Sequence, residues 1–213
     1  MLSDALEYPI KGKEVARTYT IAGFLWLINA LIIPSIFLSG YLVKVSKSTL
    51  KGKNELPRFS DLRTLFVDGL IFKIILIAYL IPSIILLASL EFVYNQSDLA
   101  GHLVFFTGFI LFSVLLSLFP MAITAFADKN NVAAAFRLKN LKYLTRKPYW
   151  IAAISALGVS ILSFIALGTI IMTLVFTIIG ILLIPVVILV WPVYMYVFIF
   201  RIFTEAYKKI EEV

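Results

Sequence analysis

The chain has 213 residues, of which 62% are hydrophobic and 15% charged, with a net charge of +7 and no cysteine. A water-soluble domain runs nearer half apolar and a quarter charged, so this composition excludes a soluble fold: there is too little polar surface to cover it. The missing cysteines exclude disulfides, thiolate metal sites and cysteine nucleophiles, and the positive charge is a topology signal first and a hint of anionic partners second.

Residues 1–18 are polar and predict a short surface helix, capped by Ser3 and ended or kinked by Pro9. The start carries Asp4 and Glu7 and no basic region before a short apolar stretch, so the first hydrophobic block is expected to stay in the mature protein. That block runs from Tyr19 to Val43 without a charge and contains Asn29 and Pro34. About 20 apolar residues cross a hydrocarbon core of roughly 30 Å, so the block is long enough to span once. Alternatively it dips in and returns at Pro34, with legs of about 12 residues, or roughly 18 Å, too short to cross.

A basic loop follows, KVSKSTLKGKNELPRFSDLRTLFVDG. Leu62, Leu65, Phe66 and Leu70 fall at helical spacing there, which predicts a short amphipathic surface helix leading into the next span. The second block runs from Gly69 to Tyr94, with Lys73 and Glu91 near its ends, where both can snorkel towards water. The connector NQSDLAGH is short, so the third block, Leu103 to Ala127, is its antiparallel neighbour.

Residues 128–148 form a second basic loop. In a helix Lys139, Lys142 and Arg146 share one face, with Ala133, Ala134, Leu141 and Leu144 roughly opposite. This predicts an imperfect amphipathic helix on the membrane surface, with those three cations as candidate contacts for anionic lipid. From Tyr149 to Phe200 there is no charge, which is too long for one span and fits two, with a turn between Gly168 and Gly180.

All 19 Lys and Arg fall in residues 1–18, the two basic loops with the span start after the first, and the C-terminus. The connectors at 95–102 and 168–180 hold none. The positive-inside rule then puts both basic loops and the C-terminus in the cytoplasm of a multi-pass cell-membrane protein. A single first span would leave Lys11, Lys13 and Arg17 outside, whereas a re-entrant segment brings every cation inside.

Several segments carry a resemblance: LEYPIKGKEVARTYTIAGFL, IIPSIFLSGYLVKV, LPRFSDLRTLFVDGL, AFADKNNVAAAFRLKNL and IIGILLIPVV. On these the chain resembles an archaeal membrane-protein family called domain of unknown function 4013. It is more distantly similar to the membrane domain of some glycerophosphodiester phosphodiesterases, whose hydrolase is a separate soluble domain with no counterpart here. In those relatives two membrane segments tend to precede the basic loop, which implies the re-entrant form. The resemblance implies an architecture and no substrate.

Catalytic constellations are thin. His102 is the sole histidine and sits in a polar connector, where a solvated interfacial role suffices. Asp68, Lys73, Glu91 and Asp128 lie near span ends; Asp68 is expected to pair with Lys73 or to meet Asp128 across helices, as surface pairing rather than a proton relay. Pro82, Pro120, Pro185 and Pro192 interrupt blocks without a matched polar set beside them, so they read as structural. Ala152, Ala156, Ser160 and Ser163 form a small-residue stripe suited to close helix packing inside the chain.

The expected fold is an all-α, polytopic helical membrane bundle forming one domain over residues 1–213, with four clear transmembrane helices. A fifth span or re-entrant hairpin precedes them, and basic amphipathic helices lie at the interface. The expected function is a non-enzymatic scaffold or lipid-organising protein without a cofactor or metal, with a small transporter or channel as the alternative. Expected partners are membrane lipids, anionic headgroups among them, and a membrane protein or a second copy of the chain; nothing points to nucleic acid.

Overall fold

The computed structural model describes residues 1–12, 14–27 and 32–212, apart from the side chains of Leu27, Ile32, Leu138 and Ile178. Among these residues the regular structure is helical, without a strand. A short helix α1 (Leu2–Glu7) and a 3-10 turn (Tyr8–Ile10) lead to α2 (Val15–Leu27) and α3 (Ile32–Leu50). Then come α4 (Leu62–Ala88), its continuation α5 (Leu90–Tyr94), α6 (Asp98–Lys129), α7 (Val132–Ala135), a second 3-10 segment (Leu138–Thr145), α8 (Lys147–Val175) and α9 (Ile178–Glu211).

Four helical stretches are long and apolar enough to cross a membrane: α4 with α5, α6, α8 and α9. The first runs 33 residues from Leu62 to Tyr94. Lys73 and Glu91 frame its uncharged part, Ile74 to Leu90, which at 1.5 Å per residue covers about 25 Å, close to a bilayer core. The predicted surface helix around Leu62–Leu70 is therefore not separate: it is the first turns of α4. α8 and α9 meet at Phe176 and Thr177, inside the predicted turn, and the Thr177 hydroxyl caps α9 by accepting from the Gly180 N–H at 2.9 Å. The helices continue through Pro82, Pro120 and Pro185–Pro192, and none of them is unwound.

Among the described residues, the block 19–43 supplies no helix long and apolar enough to cross a membrane. α2 has 13 residues and α3 has 19, and the two lie antiparallel, with the Tyr41 ring beside Thr18 and Tyr19. The ends of this hairpin are tied together at the basic end: the Leu56 N–H donates to the Lys11 carbonyl at 2.9 Å, and Arg58 pairs with Glu14 at 3.2 Å. The N-terminal segment therefore sits on the same face as the first basic loop. Pro34 lies in the first turn of α3, where its missing N–H leaves no bond unmade. Asn29 lies outside the described residues. Ser3 caps nothing; α1 begins at Leu2, with Met1 preceding it.

The core fills only the basic half of the bundle. α3 is buried on nearly all sides from Ser35 to Thr49 and packs against α2, α4, α6 and α9. Around it gather Leu65, Phe72 and Ile75 of α4, Leu118–Ala127 of α6 and Val193–Tyr207 of α9. The small faces of Ala152 and Ala156 let α8 close on α9 in this region, and Ser163 reaches Met195 at 3.2 Å, so the small-residue stripe serves packing within the chain.

In the other half α6, α8 and α9 each keep one stripe of buried or half-buried residues. On α6 it is Gly101, Val104, Gly108 and Leu111; on α8, Ala156, Val159, Ser163 and Leu167; on α9, Gly180, Ile184, Val187 and Trp191. These stripes close α4 on α6 and α8 on α9, giving two arms. The arms join from about the level of Ser117, where its hydroxyl meets the Tyr149 hydroxyl at 2.7 Å. Beyond that level Phe105, Phe109, Leu157, Leu162 and Leu182 are exposed, as lipid-facing residues of a bundle are.

Candidate functional site

The polar chemistry gathers at the basic end, and α3 starts it. This helix ends in a left-handed residue, Gly52, with φ +70. The Lys53 N–H returns to the Ser48 carbonyl at 3.1 Å and the Gly52 N–H to the Thr49 carbonyl at 2.9 Å, the paired bonds of a Schellman cap. The cap swings Lys51 and Lys53 clear of the helix, where both are exposed.

The following loop folds back over α3 because Lys44 holds it. The Lys44 ammonium donates to the carbonyls of Arg58 at 2.8 Å and Ser60 at 2.9 Å and to the Ser60 hydroxyl at 3.1 Å. Tyr41 adds a bond to the Pro57 carbonyl at 3.0 Å. Asp61 then starts α4 from a left-handed conformation, φ 63, which aspartate tolerates better than most residues. Its carboxylate accepts from the Thr64 hydroxyl at 2.7 Å and from the Thr64 N–H at 3.4 Å, and these bonds hold the carboxyl below the ordinary aspartate range.

Between α3, this loop and α4 lies a cleft of about 250 Å³. Lys44, Lys47, Lys51 and Lys53 line it together with Ser60 and Asp61; Asp68 closes its floor. Asp68 is nearly buried and pairs with Lys47 at 2.7 Å, and Lys47 also reaches Asn130 at 3.4 Å. The expected pairing of Asp68 with Lys73 or Asp128 is thus replaced by Lys47: α3 packs Lys47 against Asp68, whereas Lys73, five residues further along α4, lies on another face of that helix. Asp128 instead takes Lys129 at 2.8 Å and the Tyr207 hydroxyl at 3.1 Å.

Lys139, Lys142 and Arg146 are all exposed, but they do not share a helix face. The α-helix predicted here breaks after Ala135. The buried amide of Asn140 donates to the freed carbonyls of Ala134 and Ala135, each at 2.9 Å, and the chain continues as a 3-10 helix. A period of three turns Asn140 and Tyr143 inward and Lys139 and Lys142 outward. Arg146 follows in extended conformation just before α8. Lys139 leans to Glu211 at 3.4 Å, Glu211 also takes the Tyr143 hydroxyl at 3.1 Å, and the Trp150 indole N–H donates to the Leu144 carbonyl at 2.7 Å. Burial raises the Tyr143 phenol above its ordinary value, so it donates rather than ionises.

The family model described as protein of unknown function DUF4013 matches residues 23–176. The chain belongs to this family. The matched stretch covers the hairpin from within α2, the cleft, the second basic segment and α8. The opening segment and IIGILLIPVV, two of the stretches that suggested the family, lie wholly or mostly outside it. No curated protein and no solved structure matches the chain.

One residue of this DUF4013 protein, a cation that the charge count groups with the C-terminus, proves central. Arg201 is 3% exposed. Its guanidinium donates to the Lys53 carbonyl and the Asn54 side-chain oxygen, both at 3.0 Å, pairs with Glu205 at 3.0 Å, and lies 4.3 Å from the Tyr8 ring centre. It binds the N-terminal turn, the first basic loop and α9 into one body. A lone arginine closing a long uncharged run was the available signal, but the same pattern marks an ordinary interfacial anchor. His102, read as part of a connector, lies in the opening turns of α6, exposed, with Nδ1 2.7 Å from the Asp98 carbonyl. Among the described residues no three His, Cys, Asp or Glu converge as metal ligands.

Proposed function

We propose that this protein is a non-enzymatic module of the cell membrane that organises anionic lipid, or a partner held at the lipid surface, through its basic end. The observation that carries the reading is the placement of the described cations. They cluster at one end of the bundle, beside outward apolar residues such as Leu62, Phe66, Leu141 and Trp150. A cationic rim next to a lipid-facing belt gains both headgroup attraction and apolar burial. The positive-inside rule puts this end, with both termini, in the cytoplasm. The resemblance to archaeal membrane proteins, and at greater distance to the membrane domain of glycerophosphodiester phosphodiesterases, supports a membrane-organising role rather than catalysis, since the hydrolase of those relatives is a separate domain.

A small transporter or channel is the second reading. What favours it is a set of buried polar atoms without a partner among the described residues, in the Tyr19, Ser46 and Thr49 hydroxyls. Reconstitution separates the two. The protein in liposomes should show no ion flux and no movement of fluorescent lipid between leaflets, and should recruit anionic lipid around itself. Reproducible protein-dependent flux of either kind sinks the first reading, and random mixing with anionic and zwitterionic lipid removes its basis.

A further inference from the structure

We propose that the cleft between the basic ends of α3 and α4 binds a phosphate group bearing unesterified oxygens, presented by the headgroup of a phosphate-monoester lipid. This rests on the lipid-organising reading only for the source of the phosphate; the cleft chemistry stands without it.

The charge count favours a dianion. Lys47 is neutralised by Asp68 at 2.7 Å. Lys44 is saturated by two carbonyls and a hydroxyl and is attracted by the Asp61 carboxylate. Both carboxylates on the wall are engaged, Asp61 by Thr64 and Asp68 by Lys47. That leaves Lys51 and Lys53, exposed and without an ion-pair partner among the described residues, as two uncompensated positive charges. A phosphate monoester carries about −1.5 to −2 at neutral pH, whereas a diester carries a single charge. The Ser60 hydroxyl accepts from Lys44 and so keeps its own proton to donate into the cleft.

The site is formed in advance. The Schellman cap at Gly52 fixes where Lys51 and Lys53 emerge, and Lys44 fixes the loop that carries Ser60. A preorganised cleft loses little entropy on binding. About 250 Å³ accommodates a phosphate with a small polar substituent and is too small for a folded partner. Lipid is the favoured source because α4 contributes Asp61, Thr64, Leu65 and Asp68 to the cleft while its adjoining face, Leu62, Phe66 and Leu70, is exposed and apolar. Acyl chains can therefore lie along α4 while the phosphate sits between the helices.

The chain has no cysteine, so Glu55→Cys at the rim takes a single environment-sensitive dye. The labelled full chain is placed in phosphatidylcholine nanodiscs containing either phosphatidate, a monoester, or phosphatidylglycerol, a diester, at matched surface charge; inorganic phosphate is titrated separately. The expected result is a signal that saturates with phosphatidate and not with phosphatidylglycerol. Lys51→Gln with Lys53→Gln should weaken it about tenfold or more. Lys139→Gln, Lys142→Gln and Arg146→Gln together should change it less than about twofold, being on another segment. The Lys51 and Lys53 variants remove no bond from the fold, and an unchanged unfolding temperature checks this. Saturation by inorganic phosphate without a phosphatidate response upholds the cleft and overturns the lipid source. Equal response to the two lipids overturns the monoester assignment. A response lost with Lys139, Lys142 and Arg146 but kept without Lys51 and Lys53 overturns the cleft and leaves the lipid-organising function standing. Silence towards every ligand overturns the inference.

Discussion

Arg201 shows how a single side chain can replace a long stretch of packing. Arginine suits the position because its planar fork can serve a carbonyl, an amide oxygen and a carboxylate together while stacking on a ring. Lysine offers one point charge and cannot reach all three. Arg201→Lys should therefore cost about 2 kcal/mol, from the lost charge-assisted bonds, read as a lower unfolding temperature in detergent. It should also speed proteolysis at Lys53 while leaving the spans intact. Unchanged stability and cleavage would mean that the contacts are incidental. The Lys47–Asp68 pair tests differently. Both side chains are largely shielded, so removing one partner strands a charge. Asp68→Ala should destabilise by about 3 kcal/mol, and Lys47→Met with Asp68→Leu should recover most of that. A double variant as unstable as the single one would show that the pair does more than neutralise itself.

Among the elements, α3 and α4 depend on backbone proximity. A Cβ on Gly40 would lie 1.8 Å from the Leu65 carbonyl oxygen, and one on Gly69 would lie 1.9 Å from the Ile36 carbonyl oxygen. The two helices thus cross glycine against backbone, reciprocally, at a separation that admits Cα–H to carbonyl contacts. Neither carbonyl can move without opening its helix, so an added methyl must push α3 and α4 apart. Gly40→Ala and Gly69→Ala should each cost about 2 kcal/mol or more through overpacking. Gly158→Ala, in α8 with open space around it, should be neutral or stabilise by up to about 1 kcal/mol through helix propensity. Thermal unfolding of the three variants checks the contrast; three equal shifts would refute the crossing. The cleft is downstream of this crossing, because α3 and α4 form two of its walls.

At the scale of the whole molecule, two arms diverge from a shared core around the α2–α3 hairpin. The hairpin places the N-terminal turn, the first basic loop and the C-terminal half of α9 at one end, as the Tyr194 hydroxyl shows by donating to the Leu6 carbonyl at 2.9 Å. A topology follows that differs from a five-span protein at one testable point. Single cysteines at Asp4 and Lys142 should respond alike to an impermeant thiol reagent in intact cells, both protected, while one at Asp98 is labelled. Labelling at Asp4 together with Asp98 would restore a first span. The same arrangement makes stability depend on surroundings: the distal arms are closed only by one stripe per helix, so lipid must fill the space around Phe105, Phe109, Leu157 and Leu162.

The sequence by itself determined the class of protein, the four spans, the turn between the last two and the segregation of charge. Each follows from how far an apolar run extends, a one-dimensional property measured against a fixed bilayer thickness. The helix formed by Leu62–Leu70 was legible too, but not its continuity with the span, since amphipathic spacing does not record where a helix stops. The basic segment at 128–148 does not keep the α-helical period that its spacing predicts, because a buried amide at Asn140 outcompetes the helical pattern that its neighbours suggest. Only the tertiary structure showed that α2 and α3 fold back on each other, since a straight and a folded 19–43 have the same composition and differ in whether Tyr41 finds Thr18 and Tyr19. It alone brought Lys47 to Asp68, Arg201 to Tyr8 and four lysines to one cleft. Charges that repel along a chain share a site only when distant carbonyls and carboxylates are folded against them, and that information lies in the packing of α3 rather than in any local pattern.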